Sequence, residues 1–198
     1  MSAGQVDPTA VAIAVGEPLA EQVLDGRARL DPVAVPGVAA TVVWRVLGES
    51  GPHPWQLHVG VWPDGGVRVL TADQPAWASL VSATGAHIDD PAQALAYVDA
   101  YLEITRGAMV LVQPVGSLGD IPWRPGSEDE EAARAALLAS PPDVAPRVAR
   151  TTDGFHVERT LVVDRRLQRN EFELTTEGEV TGASFRVLAA GLPLPIAR

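Results

Sequence analysis

Apolar and polar residues alternate with a period of two near both ends of the chain, and recur at helical spacing between them. From Ala40, the residues Val42, Trp44 and Val46 alternate with Thr41, Val43 and Arg45. After a turn-rich break over Gly48 to Pro54, Trp55, Leu57, Val59 and Val61 alternate with Gln56, His58, Gly60 and Trp62. Pro63-Asp64-Gly65-Gly66 supplies a tight turn, because glycine takes positive φ without steric cost, and Val67 and Val69 carry the return strand. The pattern predicts a three-stranded antiparallel meander. A second meander follows from Phe155. Phe155, Val157, Leu161 and Val163 alternate with His156, Glu158, Thr160 and Asp164. Phe172 and Leu174 oppose Glu171 and Glu173, and Ala183, Phe185 and Val187 share a face of the last strand. Val180 falls out of phase with them, which predicts a bulge near Gly182.

Between the meanders the period becomes helical. Pro75 to Ala83 carries Trp77, Leu80 and Val81. Asp90, Pro91 and Gln93 read as a cap, a first-turn proline and a capping-box partner. Leu95, Val98 and Leu102 form a stripe behind them, with Ala94, Tyr97 and Tyr101 alongside and Gly107 as the stop. Met109 to Val112 reads as a short buried strand and Gly116 to Gly126 as a loop. Ser127 is placed to cap a helix whose first turn, Glu128, Asp129 and Glu130, suits the helix dipole. Pro18 to Leu24 could form one more short helix, and Asp31, Pro32, Pro36 and Gly37 mark a loop.

The expected class is therefore α+β, with antiparallel β meanders at both ends of the chain and a helical middle packed on the sheet. Residues 1–39 read as an N-terminal arm with a possible short helix, and residues 40–198 as a single α+β domain whose weak internal boundary lies at 114–126. The meanders could share one curved sheet or form two. The element list resembles cystatin-like and NTF2-like folds, in which a curved sheet wraps a helix. Such folds host many functions, so the likeness implies architecture alone.

Composition removes several chemistries. The 198 residues carry a net charge of −10, which disfavours nucleic acid and anionic membrane as partners. All 15 basic residues are arginine, which excludes Schiff-base and P-loop lysines and fits the codon bias of a GC-rich bacterial genome. There is no cysteine, hence no disulfide, thiolate nucleophile or cysteine-ligated metal. No apolar run approaches the ~20 residues of a membrane span, and no signal peptide stands out, so a cytoplasmic location is expected. No cofactor motif is present, and none is expected.

No motif at recognisable spacing names a reaction. The weak catalytic candidates are His156 with Glu158, two residues apart on one strand face, His58 with a carboxylate, and Tyr97 with Tyr101, four apart on one helix face. His58 falls on the outward phase of its strand. Glu158, Glu171 and Glu173 are a weak alternative as a divalent-metal site, against ion pairing with Arg165, Arg166 and Arg169. Trp62, Trp123 and Trp44 are weak binding candidates. Trp62 leaves a face that should be wet, and Trp123 sits in a Pro/Gly loop. The expected function is a binding or protein-interaction module without a catalytic constellation, taking a protein partner or a small apolar ligand, with a homodimer possible. The alternative is a small cofactor-independent acid/base enzyme with a pocket between sheet and helices.

Overall fold

The computed structural model describes residues 6–50, 53–107, 112–124 and 128–194, without the side chains of Ser50 and His53. The class is α+β, with antiparallel sheets toward the two ends of the chain and helices between them. The predicted cap at Ser127, the residues Met109 to Leu111 and Pro195 lie outside the described residues.

The chain forms two compact units. The first comprises residues 1–108 together with the turn Thr175–Glu179. Its helices are α1 (Pro8–Val15), α2 (Leu19–Leu24), α3 (Gln74–Thr84) and α4 (Pro91–Thr105), and its strands are β1 (Arg29–Val33), β2 (Val43–Ser50), β3 (His53–Val61) and β4 (Val67–Val69). The strands pair antiparallel in the order β1-β2-β3-β4. The meander thus has four strands rather than three. Residues 29–33, which read as loop, add to the edge of β2, where Pro32 is tolerated because the edge makes smaller hydrogen-bonding demands.

Helices cover both faces of this sheet. On one face Val11, Ala12 and Val23 from α1 and α2 pack with Trp44, Val46 and Val59. On the other, Gly60 lies so close to α3 that an added Cβ would stand 2.8 Å from Leu80 Cδ2. Both phases of β2 are therefore buried: Val43 is fully enclosed although its neighbour Trp44 leaves the opposite face. α4 begins as read, with the Asp90 carboxylate accepting from Gln93 N at 2.9 Å. The Gln93 side chain reaches back to Asp89 N at 2.7 Å.

The second unit comprises residues 109–174 and 180–198. It holds β5 (Val112–Val115), a 3₁₀ turn at Leu118–Asp120, α5 (Glu128–Ala139), β6 (Arg147–Arg150), β7 (Gly154–Val163), β8 (Arg166–Thr175) and β9 (Val180–Ala190). The sheet order is β5-β7-β8-β9, and β6 continues the edge that β5 begins along β7. Val115, Ile121, Leu137, Val144, Val162, Leu167, Leu192 and Leu194 make its core. The register of β8 on β9 shifts between Glu173 and Leu174, opposite Gly182 and Val180, which is the predicted bulge. A second shift lies between Leu167 and Gln168. The meanders belong to two separate sheets, not to one curved sheet of the cystatin-like or NTF2-like kind.

Candidate functional site

The tyrosines are core. Tyr97 is fully buried and Tyr101 nearly so, and both pack tilted against Trp77, at ring-centroid distances of 5.7 and 6.1 Å and interplanar angles of 58°. Tyr97 donates its hydroxyl to the carbonyl of Gly178 at 2.6 Å. Burial raises the pKa of both phenols. Their shared helix face is packed rather than open, which favours anchoring over acid/base work at neutral pH.

His58 is not on an outward face. Its residue is 2% exposed, because α3 and α4 cover the sheet face that the alternation leaves polar. Its pKa is lowered to about 4, first by burial and then by the charges of Arg106 and Arg45, so the ring is neutral at pH 7.

In the second unit His156 pairs with a carboxylate, but not the one two residues away. His156 Nδ1 lies 2.7 Å from Glu173 Oε1, while Glu158 Oε2 accepts from Arg169 Nη1 at 2.5 Å. The strand face follows from the sequence; the cross-strand neighbour does not, because it depends on register. Arg169 is almost fully buried and also donates through Nη2 to the carbonyls of Asp143 and Ala145. Its hydrogen bond is the leading reason that Glu158 titrates below the ordinary carboxylate range. Glu171 accepts from Ser184 Oγ at 3.5 Å. The three carboxylates thus have three different partners, and among the described residues no group of three or more His, Cys, Asp or Glu is placed to hold a metal ion.

The tryptophans divide in the same way. Trp44 belongs to the first unit's core, and Trp62 is 8% exposed, its indole N–H 3.4 Å from Ser79 Oγ and the Arg68 guanidinium over its ring. The face that should be wet at Trp62 is covered by α3. Trp123 is half-buried against the second unit's core and, with Leu118, Leu137 and Leu138, lines a shallow apolar cavity of about 70 Å³. That is well below the ~300–1,000 Å³ of a typical small-molecule site.

Strand β9 is the surface that sequence reasoning passed over. It ends the sheet, it pairs only with β8 among the described residues, and its eleven residues carry a single charge, Arg186. Its Ala183, Phe185 and Val187 stand beside Phe172, Asn170 and Gln168 of β8. The β8 residues are buried, whereas Phe185 is 61% and Val187 43% exposed. The two register shifts bracket a regular stretch, Gly182 to Val187, along this edge. Natural edges are commonly blunted by charge, proline or bulges. Here the bulges flank the stretch and leave its middle open. The shared face of Ala183, Phe185 and Val187 was visible as a signal; its exposure was not.

No family model, no curated protein and no solved structure matches this chain. No helix among the described residues is long and apolar enough to cross a membrane.

Proposed function

We propose that this chain is a protein-interaction module that self-associates through the free edge of β9. The observation that carries the reading is the open, apolar stretch Gly182–Val187 with Phe185 61% exposed. Antiparallel pairing of β9 with a second copy, about a two-fold axis at Phe185, sets Phe185 against its own copy and Ala183 against Val187. The same register sets Arg186 opposite the second copy's Ser184, whose hydroxyl bonds Glu171. Glu171 stands on β8, two strand spacings or about 9.6 Å from the first copy's β9, a span that the extended Arg186 and Glu171 side chains together can bridge, giving charge complementarity to an otherwise apolar seam.

Sedimentation equilibrium over the micromolar range tests the proposal. The expected result is a monomer–dimer equilibrium that Phe185→Glu weakens by at least about tenfold. Arg186→Glu should weaken it several-fold, and adding Glu171→Arg in the same chain should restore it, since the pair is worth about 0.3–1 kcal/mol. A monomer at every concentration, or a dimer indifferent to Phe185→Glu, overturns the proposal.

A further inference from the structure

Beside His58 the first unit contains a small polar cavity of about 40 Å³, lined by Gln56, His58, Thr71, Glu103 and Arg106. It has room for about three water-sized centres. The sheet supplies its floor: Gln56 and His58 are alternate residues of β3 and leave the same face, and Thr71 follows β4 and accepts the His58 backbone N–H at 2.8 Å. Glu103 and Arg106 come from the last turn of α4 and its cap.

Two polar groups in this corner lack partners. His58 Nε2 is buried with no hydrogen-bond partner among the described residues, although the whole residue is 98% enclosed. Arg45 is the direct cross-strand neighbour of His58, so their side chains leave the same face, and its buried Nε–H also has no partner. An unsatisfied buried polar group costs about 1–3 kcal/mol, and of the two His58 lines the cavity itself, so its ring nitrogen calls for a ligand there that accepts a hydrogen bond. The charges around them agree. Arg45 and Arg106 both act on the imidazole, Asp31 from β1 offsets Arg45 at 3.4 Å, and Glu103 stands at the exposed rim. Arg45 is fixed in charge and donor-only, and imidazole can present Nε2–H as a second donor.

We infer that this cavity is a binding site for a compact monovalent carboxylate, of formate or acetate size, held by His58 and Arg106 with Arg45 behind them. The site belongs to the first unit and β9 to the second, and the inference does not rest on the dimer proposal. A carboxylate suits it better than a spherical halide, because two oxygens can accept from His58 and Arg106 at once. Its volume excludes a larger organic acid from full enclosure. Once seated, the anion offsets the two arginines that disfavour the imidazolium, so its binding raises the affinity of His58 for a proton.

The test is an NMR titration of the full chain with sodium formate at neutral pH, following the His58 ring signals, which the spectrum of His58→Gln identifies by their loss. Sodium chloride at matched ionic strength is the control. The expected result is a saturable formate-dependent shift that chloride does not reproduce. Arg106→Gln should raise the midpoint about tenfold, the value of one charge-assisted hydrogen bond. Glu103→Gln should lower it several-fold by removing the opposing charge. A structural or hydration role for His58 would move in neither direction. Saturating formate should also carry the His58 pKa upward from about 4. Absence of saturation, an equal response to chloride, or a midpoint unmoved by both Arg106→Gln and Glu103→Gln overturns the inference.

Discussion

Replacing His58 by glutamine should make the first unit less sensitive to acid. In the unfolded chain the imidazole takes up a proton near its ordinary 6.5, whereas in the folded chain it does so only at about 4. A basic group whose folded pKa is depressed stabilises the unfolded state as soon as the pH falls below the unfolded value. Stability is therefore whole above pH 6.5, declines as the pH falls, and has lost the full amount once the pH passes the folded value. The gap between 6.5 and about 4, at about 1.4 kcal/mol for each pH unit, amounts to roughly 3 kcal/mol. Urea unfolding followed by tryptophan fluorescence reads the right part of the chain, because Trp44, Trp55, Trp62 and Trp77 all belong to the first unit. The quantity to compare is the change in unfolding free energy between pH 7 and about pH 4 in the two chains, so that carboxylates common to both cancel. Wild type should lose about 3 kcal/mol more than His58→Gln over that interval. Parallel pH profiles would mean that His58 titrates normally, and would refute the argument from burial and the two arginines.

Two further outcomes follow from the packing. Glu158→Gln takes from the buried Arg169 guanidinium its close carboxylate, leaving Asp143 at 3.8 Å, and should cost the protein about 1.5–3 kcal/mol in calorimetry at pH 7. The carboxylate's contribution is present above about 4.5, its ordinary value, and fades as the pH falls through its lowered folded value, a fade that the variant should lack. Gly48→Ala would put a Cβ 2.3 Å from the Trp55 ring, its cross-strand neighbour, and should cost about 1–3 kcal/mol in urea unfolding.

How much of this was legible in the sequence depended on how local the cause was. The α4 cap was legible because Asp90, Pro91 and Gln93 act within one turn. The β9 bulge was legible because Val180 breaks a count of two. The class followed from the same counts. Strand β1 was hidden because Asp31-Pro32 carries the chemistry of a breaker, and only an edge position reconciles proline with a ladder. The phase of His58 was readable, but alternation identifies a face and not what lies over it. On a sheet with helices on both sides, the polar phase becomes an interior. The same limit separates His156 from Glu173, which lies seventeen residues away and meets it only through strand register. At β9 the shared face of Ala183, Phe185 and Val187 was readable, but alternation does not tell that the sheet ends there and leaves that face exposed.

The turn Thr175–Glu179 makes the first unit discontinuous in sequence, and this governs when that unit can be finished. Tyr97 waits for a carbonyl 81 residues downstream, and closing a loop of that length costs roughly 4 kcal/mol of chain entropy. During synthesis, α4 emerges long before Gly178 exists, so its Tyr97 hydroxyl spends that interval without its final acceptor. The left-handed φ of +81° at Gly178, and the 2.9 Å that would separate an added Cβ from the Tyr97 hydroxyl, show how narrow the seat is. The last locking step of the first unit is therefore a long-range, late event, made by residues that the ribosome delivers after the rest of that unit is already out.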